Sequence, residues 1–218
     1  MPTQTKENYL KALFFLDHKH DNITVTDLSK SMQVSTPTVN NMVKKLQSGG
    51  WVKYEKYKPL KLTAKGRKVA ALIIRKHRLT EMFLVEKMGF GWEEVHDIAE
   101  EIEHVNSEQL FDRMDEMLGF PKADPHGSPI PDKSGHMLEP DYIKLSAAKA
   151  GTKARLRALD DSSMELLLYL NKKELELGML LEIREIEPYD QSMTIGYPKH
   201  NNTILTREVC DKLLVEVV

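Results

Sequence analysis

At 218 residues, 41% hydrophobic, with 31 Lys and Arg against 33 Asp and Glu, the chain has the composition of an ordinary soluble protein with room for one large or two to three small domains. No apolar run approaches the roughly 18 residues of a membrane span, and the polar start MPTQTKENY is unlike a signal peptide, so a cytoplasmic protein without a membrane partner is expected. A single cysteine, Cys210, excludes internal disulfides, and its Val and Leu neighbours predict a buried, inert thiol.

The small net charge hides a segregation. Residues 1–76 carry roughly 15 Lys and Arg against roughly 5 Asp and Glu, whereas residues 77–120 carry roughly 3 against roughly 12. A basic first third suits phosphates, and an acidic middle attracts cations. Within the basic third, Tyr9, Leu10, Leu13, Phe14 and Leu16 form a helical apolar stripe broken at Asp21-Asn22. Thr24 or Thr26 then caps a short helix carrying Leu28 and Met32. A tight connection spans Gln33-Val34, and Ser35 caps a second helix with Pro37 in its first turn. That helix buries Val39, Met42, Val43 and Leu46 and stops at Gly49-Gly50. Alternating residues on either side of Tyr57-Lys58-Pro59 give a hairpin with a basic tip. The whole is a winged helix-turn-helix. Ser35, Pro37, Thr38 and Asn41 are candidates to face bases or sugars, with Lys44, Lys45, Lys53, Lys56 and Lys58 on phosphates.

The acidic middle predicts a long helix from Thr63 to Gly89, another from near Trp92 to Val105, and a third over Ser107 to Leu118. In VHDIAEEIEH, His96, Glu100, Glu103 and His104 fall at i, i+4, i+7 and i+8 on one helical face, and upstream His77 and Glu81 are again four apart. Imidazole and carboxylate without thiolate are the ligand chemistry of Fe2+, Mn2+ or Zn2+. Apolar positions such as Ile73, Leu79, Phe83, Leu84, Val95 and Ile98 exceed what a small winged domain covers and predict a subunit interface.

Residues 121–140, rich in Pro, Gly and Ser, read as a linker. Beyond it TKARLRAL, LLEIREIE and SMTIGY read as strands, SSMELLLYLNKKEL as a short helix, and VCDKLLVEV as a terminal turn and strand: a small β-barrel-like domain.

The order and spacing of STPTVNNMV, RKHRLTE, VHDIAEEIEHV and HGSPIP resemble the diphtheria-toxin-repressor family of iron- and manganese-responsive transcription regulators, nearly end to end. The resemblance implies a mainly α fold with a small β portion: a winged helix-turn-helix at 1–72, a helical dimerisation and metal-binding domain at 73–140 with its linker from 121, and an SH3-like β-barrel at 141–218. It places His77, Glu81 and His96 in an ancillary metal site, completed from the last domain by Glu165, Asp161 or Ser162. Glu100, Glu103 and His104 match the primary, activating site. Glu100 stands where the iron-responsive branch has cysteine and the manganese branch glutamate, and a hard carboxylate favours Mn2+. The first-helix ligand of the family is here Asn8, and a further glutamate of the two-domain manganese regulators is replaced by Lys11. Asp124 either restores a carboxylate to the primary site or only starts a turn before Pro125.

The expected function is that of a homodimeric repressor, activated by Mn2+ or alternatively Fe2+, that binds a palindromic double-stranded DNA operator and controls metal-uptake genes without catalysis. A metallohydrolase using Glu81 or Glu103 as general base is the rival from another class, but no His-Glu-x-x-His motif supports it. A metal-storage or protein-interaction module is the second rival.

Overall fold

The computed structural model describes residues 2–19, 22–55, 58–138 and 140–218; Lys56 lies outside them. The chain divides into two compact units, one comprising Met1–Thr80, Ala99–Phe120 and Ile130–Leu138, the other Glu81–Ile98, Pro121–Pro129 and Glu139–Val218. The residues expected to form a middle domain are shared between the two.

In the first unit, helix α1 (Gln4–Lys19) buries Tyr9, Leu10, Leu13 and Phe14. Helix α2 (Val25–Met32) begins at Thr24, not Thr26. The Thr24 hydroxyl accepts from Asp27 N at 3.1 Å while Asp27 Oδ2 accepts from Thr24 N at 2.9 Å, so two otherwise orphaned donors are satisfied reciprocally. Gln33 turns the chain in the left-handed region (φ 53°). Helix α3 (Thr36–Ser48) starts at Ser35 with Pro37 in its first turn and buries Val39, Val43 and Leu46, while Met42, also expected in the core, is half-buried at its edge. Strands β1 (Val52–Lys53) and β2 (Lys61–Leu62) pair antiparallel as the base of the wing. Tyr54 joins wing to helix, its hydroxyl donating to Asn40 Oδ1 at 3.2 Å and its carbonyl accepting from Gln47 Nε2 at 2.9 Å. The Trp51 ring lies over Gly49 and under the ammonium groups of Lys6 and Lys65, 5.7 and 5.2 Å from its centroid.

Helix α4 (Ala64–Met88) ends before Gly89, and the division between the units falls within it. Helix α5 is shorter than expected, His96–Ile102. At its start Glu94 Oε2 accepts from Gly91 N at 2.7 Å, which closes a turn in place of a first helical turn, and at its end Glu103 and His104 lie in the turn after Ile102. Helix α6 (Glu108–Met117) falls within the expected range and is capped by Ser107. In the linker, Asp124 and Asp132 each fold a turn on their own side chain: Asp124 Oδ1 accepts from His126 N and Ser128 N, and Asp132 Oδ1 from Ser134 N and His136 N.

The second unit holds a six-stranded antiparallel sheet. Its strands are β3 (Ile143–Lys144), β4 (Lys153–Leu159), β5 (Leu180–Ile186), β6 (Met193–Tyr197), β7 (His200–Leu205) and β8 (Leu213–Val217), in the order β3-β8-β4-β5-β6-β7. Helix α7 (Met164–Lys172) buries Leu166, Leu167 and Leu170 in the same core, and α8 (Arg207–Cys210) precedes β8. Strands β4, β5, β6 and β8 match the periodicity. Strand β7 was not anticipated, because its His200-Asn201-Asn202-Thr203 run is polar without apolar alternation; it is an edge strand that buries only Leu205. Cys210 is fully buried, and burial pushes its thiol up to about 12, the inert group expected.

Gly127 has φ 85°, and a Cβ there would meet Arg157 O at 2.2 Å, whereas Gly151, with φ 81°, has open space around it. Gly127→Ala is therefore expected to destabilise by more than about 1 kcal/mol and by more than Gly151→Ala, which suffers backbone strain alone. Denaturant midpoints of the two variants check the ranking.

Candidate metal centre

Three helices of the first unit bring the primary cluster together. Helix α1 supplies Glu7, Asn8 and Lys11, α4 supplies His77, and the end of α5 with the turn after it supplies Glu100, Glu103 and His104. Glu103 is wholly buried; it accepts from His77 Nδ1 at 2.6 Å and from Lys11 Nζ at 2.8 Å to each carboxylate oxygen. Lys11 Nζ also reaches Glu100 Oε2 at 2.9 Å. Ligand atoms of His77, Glu100 and Glu103 lie within 4.8 Å of one another.

Two atoms of this cluster carry the test of whether it suits a cation. Asn8 Oδ1 and His104 Nε2 are buried without a hydrogen-bond partner. His104 Nδ1 donates to Glu7 Oε2 at 2.7 Å, a tautomer that leaves the Nε2 lone pair free, 3.5 Å from Glu103 Oε1. Buried acceptors left without donors are costly. An amide oxygen, an imidazole nitrogen and two carboxylates fit a hard to borderline divalent ion.

The second unit contains another cluster. Glu81 Oε1 lies 3.5 Å from His96 Nδ1, and its Oε2 lies 3.9 Å from His126 Nδ1. Asp124 Oδ1 is 3.9 Å from the same nitrogen. Ligand atoms of Glu81, Asp124 and His126 all fall within 4.8 Å, and all three residues are buried. His126 Nε2 donates to the Trp92 carbonyl at 2.9 Å, which fixes the Nδ1 lone pair toward the carboxylates, and its ring stacks on Trp92 at 6.0 Å.

Several expected groupings change accordingly. The helical face of four ligands does not converge: His96 meets Glu81, whereas Glu103 and His104, past the end of α5 at Ile102, meet groups from α1 and α4. His77 sits one turn before Glu81 on α4, the spacing expected of the ancillary pair, and bonds Glu103 as well. Asp124, considered for the primary site, joins Glu81 and His126 and starts the turn as well. Glu165 is exposed in the first turn of α7 and in neither cluster, while Asp161 pairs with Lys212 at 2.9 Å. Glu7 and His126 were missed. The signal available for Glu7 was its place one residue before Asn8, and for His126 its position two residues after Asp124 in a tight turn.

On the winged domain, Ser35, Pro37, Thr38, Asn41, Lys44, Lys45, Lys53 and Lys58 are all exposed. Ser35 Oγ and Thr38 Oγ1 are 2.8 Å apart, and Lys58 pairs with Glu55 at 2.5 Å.

Comparison with known proteins places this arrangement. Residues 1–60 match the iron dependent repressor N-terminal DNA binding domain, 63–132 the iron dependent repressor metal binding and dimerisation domain, and 143–217 the FeoA domain. The iron-dependent repressor IdeR of Mycobacterium tuberculosis is 31% identical over 98% of this chain and 97% of its own length. The HTH-type transcriptional regulator MntR of Geobacillus kaustophilus is 32% identical over 57% of this chain and 87% of its own. A manganese-dependent transcriptional repressor solved in complex with manganese superposes with a TM-score of 0.88 at 29% identity, covering 98% of this chain and 100% of that one. ScaR with bound Cd2+ does so with a TM-score of 0.82 at 32% identity, over 98% and 99%. Fold and site thus define a metal-dependent, DNA-binding transcriptional repressor, a class that is not enzymatic. The chain belongs to the iron-dependent repressor family, of the three-domain diphtheria-toxin-repressor type.

Because Glu7 fixes the His104 tautomer from outside the ligand set, Glu7→Ala is expected to weaken metal binding at the primary cluster by about 10- to 100-fold. Calorimetric titration of the metal-free protein with Mn2+ measures the change.

Proposed function

We propose that this repressor is activated by Mn2+, with Fe2+ as the alternative, and that as a homodimer it binds a palindromic operator controlling metal-uptake genes. The observation that carries the reading is the pair of orphaned buried atoms, Asn8 Oδ1 and His104 Nε2, beside two carboxylates. Asn8, Glu100, Glu103 and His104 would hold the activating ion, which when bound would supply a double positive charge to side chains of α1, of α5 and of the turn after it. Oxygen donors outnumber nitrogen and no sulfur is present in the cluster, a set suited to Mn2+. The solved manganese-dependent relatives support the same choice. Glu81, Asp124, His126 and His96 form a second candidate metal site in the other unit.

Asn8 lies on the first helix of the DNA-binding unit, so a conformer favoured by metal also fixes the placement of α3. DNA selecting that conformer must tighten metal binding in return. Exposed Ser35, Pro37, Thr38 and Asn41 would meet base edges or sugars, with Lys44, Lys45, Lys53, Lys56 and Lys58 on phosphates.

The test is a gel-shift titration on duplexes selected from a random pool. Mn2+ is expected to drive binding at least as well as Fe2+, chelator to reverse it, and His104→Ala to abolish it; metal-independent binding would overturn the reading. Under saturating Mn2+, Lys44→Ala is expected to lower the slope of log affinity against log salt by about 1 per subunit. An unchanged slope takes Lys44 off the phosphates.

A further inference from the structure

Lys11 is the one group in the primary cluster whose charge has the same sign as a metal ion. Its ammonium lies 2.8–2.9 Å from three carboxylate oxygens, two on Glu103 and one on Glu100. An ammonium has three donors, and these contacts use all of them. The contacts are also sheltered: the Lys11 side chain is 13% exposed and that of Glu103 not at all. Asn8 Oδ1 and His104 Nε2, by contrast, accept from nothing. The charged ligands of the cluster are satisfied by an internal cation while its neutral ligands are left waiting.

We propose that Lys11 is a tethered competitor for the metal, which neutralises Glu100 and Glu103 in the metal-free protein and thereby sets the concentration at which metal binds. The proposal rests on the reading that these two carboxylates hold the ion. A metal must take oxygens from an ammonium carried on a neighbouring helix, whose effective concentration at the site is fixed by the fold and independent of dilution. The competent state is the fraction of molecules in which Lys11 has moved away, and apparent affinity falls in proportion to that fraction. Competition of this kind weakens all divalent ions alike. The device therefore acts on threshold, while the donor set acts on selectivity.

The competition is tested by calorimetric Mn2+ titration of the full-length, metal-free protein, with His126→Ala present throughout so that the second cluster does not contribute. Lys11→Met is expected to bind Mn2+ at least tenfold more tightly than the parent, and Lys11→Arg, which keeps the charge, to stay within a few fold of it. Thermal unfolding gives an independent readout: in chelator Lys11→Met should melt below the parent, and in saturating Mn2+ it should gain the larger upward shift. Lys11→Gln serves in the same two assays if the methionine variant does not fold. Unchanged or weaker Mn2+ binding by the neutral variants would overturn the proposal while leaving the metal site standing. Parent protein whose Mn2+ binding is indifferent to Glu103→Ala would overturn the site itself, and the competition with it.

Discussion

A carboxylate with no solvent exposure governs the first unit. Glu103 is wholly buried, and a carboxylate left unpaired there would cost several kcal/mol. It is held by Lys11 from α1 and His77 from α4, so the helix that begins the DNA-binding domain, the long helix that leaves it and the end of α5 meet on one side chain. Apolar packing brings α1 and α4 into a common core through Leu10, Leu13, Ala71 and Ile74. The charge then dictates which cations that arrangement tolerates. A regulator built on such a point responds to a cation because its metal-free form already depends on one.

The second cluster is organised on a different principle. Its geometry comes from backbone partners: Asp124 Oδ1 accepts from His126 N and Ser128 N, and the Trp92 carbonyl accepts from His126 Nε2 and fixes its tautomer. The Asp124 bonds are local to the turn and the Trp92 bond reaches back 34 residues, and together they orient the His126 ring. The primary cluster takes its side chains from α1, α4, α5 and the turn after it, and the second takes its own from α4, α5 and the linker.

The elements of the winged domain were legible because their boundaries are written in short-range chemistry: Ser35 and Pro37 open α3 and Gly49-Gly50 closes it. Thr24 is chosen over Thr26 by the reciprocal bond with Asp27, which stands three residues after Thr24, as a capping box requires, but directly after Thr26. The length of α5 was overread because the His and Glu periodicity runs on past Ile102, although Glu103 and His104 sit in the turn where the chain leaves the helix. Periodicity names residues that share a face only while the helix lasts. The ligand types at Glu100, Glu103, His104 and Asn8 were readable one by one. The roles of Glu7, Lys11 and His126 were not, since each depends on a partner from a distant part of the chain: Glu7 on His104, Lys11 on Glu103, His126 on Glu81.

The two tryptophans occupy different units and unlike surroundings. Trp51 is covered by two lysine ammonium groups in the winged domain, and Trp92 stacks on the imidazole whose free nitrogen faces Glu81 and Asp124. An indole under cations and an indole against an imidazole emit under different local fields and have different quenchers. Intrinsic fluorescence of this chain is thus a two-channel signal, with one reporter placed in each unit by the fold. Single Trp-to-Phe replacements would separate an event at the DNA-binding end from one at the second cluster, with no label attached.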